Sequence, residues 1–354
     1  MIGTTIAIDV QSPGRIAVAT DSPKAKLVAR AVRILRDGGL VALPTETVYG
    51  LGADATNSQA VRKIFAAKGR PRSNPLIVHV ADSSVARRCA TAWPRSAQRL
   101  AAALWPGPLT LVLPKASMIV DEATAGQPTV ALRAPDHPLA LKVLRGFGGP
   151  VAAPSANRSS RISPTTADHV RRDLGRRVDL ILDGGPCKVG IESTVLDLTR
   201  HPPTILRPGG VSREAIEELI GPVEIFSGSA QGIASSPGQQ SVHYAPSAPA
   251  YRFAAGEVSK VLEFAGHHPS INVVVLALEE SPSAKGLVRR NIIKMPSAPE
   301  QYARRFYAAL READERADAI WIEQPPQTPA WLAIRDRINR ATQNPPGAGD
   351  PESA

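Results

Sequence analysis

Between residues 62 and 72 the chain places Arg62, Lys63, Lys68, Arg70 and Arg72 with no acid among them. The last three lie in KGRPRSN, residues 68–74, directly before the apolar run PLIVHV. Gly69 and Pro71 fix the turn that carries them, so the cations are aimed, and a focused group of this kind suits an anionic ligand. A simpler reading stays open: Lys68 complements the C-terminal dipole of its helix, and Arg70 and Arg72 are solvated turn charges.

Other short polar turns sit beside expected strands: PTET at 44–47, PGPLT at 106–110, LRAP at 132–135, PSAN at 154–157, SPT at 163–165, EST at 192–194 and LRPGG at 206–210. Ligands of open α/β folds bind at strand ends. Each turn also has a local reading. Thr45, Thr47 and Thr110 can satisfy nearby backbone groups, Ser155 and Asn157 can shape a turn after Pro154, and Ser163 before Pro164 reads as a helix N-cap. Arg133 differs, because it follows TVAL at the end of a strand expected to be buried, and a buried guanidinium calls for a carboxylate or phosphate. There is no GxxxxGK[ST], no strand-linked GxGxxG and no HExxH, which removes a P-loop, a dinucleotide fingerprint and a zinc-protease helix.

The elements that must position these groups follow from periodicity. Residues 24–39 carry Leu27, Val28, Ala31, Ile34 and Leu35 at helical spacing and stop on Gly38 and Gly39. A strand is expected at 40–43. TETVYGLGADA has too many glycines to be read as regular structure. Asn57 or Ser58 caps a helix with Val61, Ile64, Phe65 and Lys68 on one face, ended by Gly69. PLIVHV reads as a strand buried on both sides. Further strands are expected at LTLVL, TVALR, PVAAP, VDLILD and STVLDL, with helices near 95–104, 138–146, 165–175 and 212–220. This alternation predicts an α/β layer domain with a mixed sheet. The Ser/Gly/Pro-rich stretch 227–249 reads as a linker. Beyond it, strands at YRFA, INVVVLAL and ADAIWIE alternate with helices at 256–266, 299–316 and 329–341, predicting a smaller doubly wound domain.

The chain has 354 residues, a net charge of +10 and 43% hydrophobic residues. That length favours two cores, and no apolar run reaches the ~18 residues of a membrane span. The N-terminus MIGTTIAIDV lacks the pattern of a secretory signal, so a cytoplasmic location is expected and no membrane partner. Cys89 and Cys187 have no metal-ligand spacing and read as core thiols. Aromatics are 4% of residues, few for stacking on single-stranded nucleic acid, so no stable nucleic-acid binding is expected.

Taken in order, PTETVYGLGADA, KGRPRSNPLIVH, WPGPLTLVL, VALRAPDHPLA, AAPSANRSSRISPT, DGGPCKVGIESTVLDL and ILRPGG resemble the YrdC-like threonylcarbamoyl-AMP synthase family over nearly all of residues 27–221. The linker ending HYAP and the α/β segment after it are similar to the long form of that family, which adds a C-terminal Rossmann-like domain. The resemblance implies a YrdC-like twisted mixed sheet with helices, then a smaller Rossmann-like α/β domain. The division expected is a leading arm at 1–22, a catalytic domain at 23–222, a linker at 223–248, the second domain at 249–342 and a disordered tail at 343–354. The implied reaction joins L-threonine, bicarbonate or carbon dioxide, and ATP into threonylcarbamoyl-AMP with release of pyrophosphate, with Mg2+ on the triphosphate. The product would pass to threonylcarbamoyltransferase proteins that modify tRNA.

Carried over position by position, the resemblance places Lys68 and Arg70 on the triphosphate as the catalytic cations. Ser155 and Asn157 lie beside them as donors to phosphate or carbamate. Thr110, Ser163, Arg207 and Tyr244 fall on the ATP side, and Thr45, His79, Arg133 and Ser193 on L-threonine. No metal-ligating residue is expected. Relatives often carry basic residues before HYAP where this chain has Gln239, Gln240, Ser241 and Val242. Residues 236–246 read as a lid, with Tyr244 closing on the nucleotide. Two alternatives remain open: a carbamoyl adenylate former of the kind found in hydrogenase maturation proteins, and a non-catalytic binder of structured RNA.

Overall fold

The computed structural model describes residues 7–9, 17–19, 24–226, 244–281 and 291–345. They form two compact units. One takes the described residues up to 226 except Ser160–Ile162; the other takes Ser160–Ile162 and the described residues from 244 onward.

The first unit is built on a mixed sheet of β1 (Ala7–Asp9), β2 (Ala17–Ala19), β3 (Val41–Leu43), β4 (Gly50–Asp54), β5 (Ile77–His79), β6 (Leu109–Pro114), β7 (Thr129–Arg133), β8 (Val151–Ala152), β9 (Leu180–Leu182), β10 (Thr194–Asp197), β11 (Thr204–Arg207) and β12 (Glu224–Ile225). The strand order is β12-β11-β10-β6-β7-β5-β8-β4-β3-β9-β1-β2. Around it lie α1 (Lys24–Arg36), α2 (Ser58–Lys68), α3 (Ser83–Arg88), α4 (Arg95–Leu104), α5 (Asp121–Thr124), α6 (Pro138–Phe147), α7 (Ala167–Leu174) and α8 (Arg213–Ile220). The expected α1 face is buried through Leu27, Ala31 and Leu35, with Val32 added. Helix α2 is capped by Asn57, whose side chain accepts from the Gln59 and Ala60 amides, and ends on Gly69 in the left-handed region at φ 62°.

Sequence and structure part company at several elements. The segment read as a glycine-rich loop contains β4, buried along most of its length. A Cβ on Gly52 would lie 3.0 Å from Val151 Cγ1 and 3.1 Å from Val41 O, so the glycine marks strands in close approach. The stretch read as a leading arm supplies β1, which pairs antiparallel with β2 and β9. Helix α7 is capped by Thr166, which accepts from the His169 amide. Ser163 is therefore released from the capping role given to it.

The second unit is a parallel sheet, β13-β16-β14-β15, made of β13 (Ala250–Phe253), β14 (Val273–Leu278), β15 (Ile292–Met295) and β16 (Ala319–Glu323), with α9 (Val258–His267), α10 (Pro299–Asp314) and α11 (Leu332–Ala341). Strand β15 was not anticipated. It is a four-residue edge strand with Lys294 exposed, and charge on an edge hides the apolar alternation that reveals a strand. Trp321 is the largest side chain of this core, packed with Phe253, Val261 and Val275. Among the described residues no helix is long and apolar enough to cross a membrane.

Candidate active site

Lys68 ends α2 but does not point into solvent. It is 2% exposed, and its Nζ donates to Ser155 O and Asn157 O, each at 2.5 Å. Burial, and then the nearby Arg70, hold its pKa well below the usual lysine value. The side chain thus ties the KGRPRSN turn to the PSAN turn. Arg70 is also buried, donating from Nε to Asn74 O at 3.1 Å and from Nη2 to Pro75 O at 3.0 Å. These contacts pin the turn whose backbone Gly69 and Pro71 shape. Arg72 is exposed.

Strand register carries the next group. His79 and Arg133 are partners at the ends of parallel β5 and β7, 3% exposed each. Strands β3 and β8 leave the sheet at the opposite end from β5 and β7, as their pairings through β4 require. The turns 44–49 and 153–157 nevertheless reach the same neighbourhood. Gly50 bridges Ser155, and a Cβ on Gly50 would lie 3.7 Å from His79 Cε1. The site is therefore laid across the sheet and is not confined to one row of strand ends.

Arg133 donates from Nε to Gly107 O at 3.2 Å, and its Nη2 lies 2.7 Å from Glu46 Oε1. The carboxylate expected for this buried guanidinium is thus supplied by the chain itself, from a residue not singled out in the sequence. Its signal was its place between Thr45 and Thr47, in a turn too apolar for idle surface. Thr45 holds that turn: its hydroxyl donates to Val48 O at 2.6 Å and accepts from the Thr47 and Val48 amides, each at 3.2 Å. Tyr49, also missed, is fully buried, with its hydroxyl donating to Gly185 O at 2.8 Å.

A third group joins β6, β10 and β11. Thr110 and Ser193 share a hydroxyl hydrogen bond of 2.8 Å. Arg207 donates from Nη2 to Ser193 O at 3.0 Å and to Ser193 Oγ at 3.3 Å. Ser163 donates to Glu192 Oε1 at 2.7 Å, beside Ser193. Gly209 closes over this group with no room for a side chain: a Cβ there would come within 2.3 Å of Ser193 C and Thr194 N. Gly209→Ala is expected to lower stability by ~1–3 kcal/mol through overpacking. A denaturant titration checks this, with an unchanged midpoint as the contrary result.

Eleven of the twelve residues singled out for ligands thus lie in the first unit, in the groups described above. Tyr244 lies in the second. Its backbone takes φ 66°, its side chain is 1% exposed, its ring lies 5.6 Å from that of Tyr307 and the Arg337 guanidinium stands over it at 5.5 Å. This packing anchors Tyr244 in the second unit's core. Residues 227–243, including Gln239–Val242 and most of the expected lid, lie outside the described residues.

His79 Nδ1 is buried without a hydrogen-bond partner among the described residues, and burial followed by Arg133 holds the ring's pKa well below its ordinary 6.5. The folded protein keeps His79 neutral while the unfolded chain takes up a proton below pH 6.5, so stability falls as pH drops through that value. His79→Gln is expected to flatten this acid limb, by at most ~1.4 kcal/mol per pH unit. Melts between pH 7.5 and 5 measure it; an equally steep limb in the variant would assign the loss elsewhere. Cys89 and Cys187 are free and buried, as expected of core thiols.

Comparison with known proteins brings these observations together. Residues 33–209 match the Sua5/YciO/YrdC family, described as "Telomere recombination", and residues 211–343 match "Threonylcarbamoyl-AMP synthase, C-terminal domain". Threonylcarbamoyl-AMP synthase of Bacillus subtilis is 43% identical over 92% of this chain and 94% of its own. The chain belongs to the threonylcarbamoyl-AMP synthase family. The synthase of Pyrococcus abyssi is 40% identical over 88% of this chain and 93% of its own. Among solved structures, P. abyssi Sua5 complexed with L-threonine superposes with a TM-score of 0.83 at 38% identity, covering 91% of this chain and 95% of that one. Escherichia coli YciO matches 55% of this chain and 95% of its own, at 25% identity and a TM-score of 0.50, a likeness in the α/β fold.

Proposed function

We propose that the protein condenses L-threonine, bicarbonate or carbon dioxide, and ATP into threonylcarbamoyl-AMP and pyrophosphate. The observation that carries this is the placing of the buried cations Lys68, at the end of α2, Arg70, on the turn after it, and Arg207, at the end of β11, with the buried Arg133 guanidinium held by Glu46. The attacking carbamate and the triphosphate are both anions and repel each other. Fixed cations in a low-dielectric site lower the cost of bringing them together without reorganising during the reaction. Positioning supplies much of the remainder, so no covalent enzyme nucleophile is required.

Lys68 and Arg70 face the triphosphate in this reading, with Ser155 and Asn157 beside them. Thr110, Ser163 and Arg207 hold the nucleotide side. Arg133 takes the threonine carboxylate, and Thr45, His79 and Ser193 complete that pocket. Neutral His79 offers a hydrogen bond without adding charge next to Arg133. Magnesium bound with ATP would add to the neutralisation of the phosphate charge. Each step above is carried by the chain's own groups. The adenylate would be consumed by a transferase acting on tRNA, since a mixed carbamic phosphoric anhydride hydrolyses unless it is passed on.

The test is product identity. With 13C-bicarbonate, threonine and ATP, mass spectrometry should find one labelled carbon in an adenylate that also contains threonine. A labelled adenylate lacking threonine would contradict this reading, and an adenylate formed only when carbamoyl phosphate replaces threonine and bicarbonate would favour simple carbamoyl transfer instead.

A further inference from the structure

Arg133 has three donor nitrogens, of which the fold hydrogen-bonds one and ion-pairs a second. Nε is fixed on Gly107 O at 3.2 Å, and Nη2 lies 2.7 Å from Glu46 Oε1. Glu46 is itself immobilised. Its Oε2 accepts the Asp136 amide at 3.0 Å, and its backbone carbonyl accepts the Val189 amide at 2.7 Å. Both side chains are 4% exposed, so neither can trade its partner for water. Nη1 takes no part in these contacts.

We propose that Glu46 is a positioning residue for the amino-acid carboxylate, holding the Arg133 guanidinium by Nη2 so that Nη1 is presented to the substrate in a fixed plane. The proposal rests on the threonine reading of Arg133. A buried pair of this kind is close to neutral overall, so the pocket gains less from attraction at a distance than from orientation. It favours a group able to accept in the plane of the fork. Glu46 also sets where the fork stands, because the same carboxylate grips the Asp136 amide, three residues beyond Arg133. The competing account makes Glu46 a staple among three loops with no bearing on either substrate in particular.

Steady-state kinetics separate the two accounts. Glu46→Gln keeps the length and one acceptor but removes the charge. Glu46→Asp keeps the charge but is too short to reach Arg133 and the Asp136 amide together. Both are expected to raise the threonine KM by about 10-fold or more, with the ATP KM within about 3-fold of wild type. Glu46→Gln combined with Arg133→Lys should be little worse than Arg133→Lys alone, because the two act through one contact. Threonine and ATP KM values rising together, or losses that multiply in the double variant, would overturn the positioning role. Should Glu46→Gln fail to fold, the KM split in Glu46→Asp decides by the same criterion. A wild-type enzyme indifferent to threonine would instead overturn the functional reading. A threonine-dependent wild type with unsplit variants overturns only the role of Glu46.

Discussion

Lys68→Met is expected to slow turnover by roughly 100- to 1000-fold, the scale on which removal of one preorganised electrostatic group acts. Methionine replaces the buried stem, so the packing loss is smaller than alanine would cause, although either substitution releases the Ser155 and Asn157 carbonyls from their donor. Lys68 is the joint between two ligand turns, and more than the end of a helix. Its depressed pKa adds a second readout. An arriving polyphosphate favours the charged form, opposing the burial and the Arg70 charge that disfavour it. ATP binding should therefore take up protons in the wild type at alkaline pH and less in the variant, measurable by calorimetry in buffers of different ionisation enthalpy. A folded Lys68→Met protein with wild-type turnover would return the residue to a structural role.

Arg133→Lys should raise the threonine KM by about 10- to 100-fold, the cost of losing one or two charge-assisted hydrogen bonds. An ammonium cannot hold Gly107 O, Glu46 and a substrate carboxylate in the fixed geometry of a guanidinium. It can satisfy Glu46 and leave the substrate without its donor. The ATP KM should move little. Kinetics with each substrate varied in turn give the answer, and an effect confined to ATP would show that Arg133 faces the nucleotide.

Where local chemistry decides, the sequence was legible. Asn57 and Gly69 bound α2 as their types require, and the apolar runs before His79 and Arg133 place both residues at the ends of paired strands. Several features rest on contacts between distant segments. Lys68 reads as a dipole cap until the fold brings Ser155 and Asn157, 87 and 89 residues away, onto its ammonium. Arg133 called for a carboxylate or phosphate and Glu46 was not singled out, and only the turn between the antiparallel strands β3 and β4 makes them partners. Gly50 and Gly52 concealed a strand because glycine signals both turns and close approach, and only the neighbours Val151 and His79 show which. The placing of Tyr244 against Tyr307 and Arg337 depends on α10 and α11, beyond the reach of any reading of HYAP alone.

Pyrophosphate release measured with ATP present, and threonine or bicarbonate omitted in turn, tests the central claim most directly. The carbamate forms only from both, so release should need both together and fall to background when either is left out of carbon dioxide-depleted buffer. Equal release without threonine, or without bicarbonate, would contradict the account.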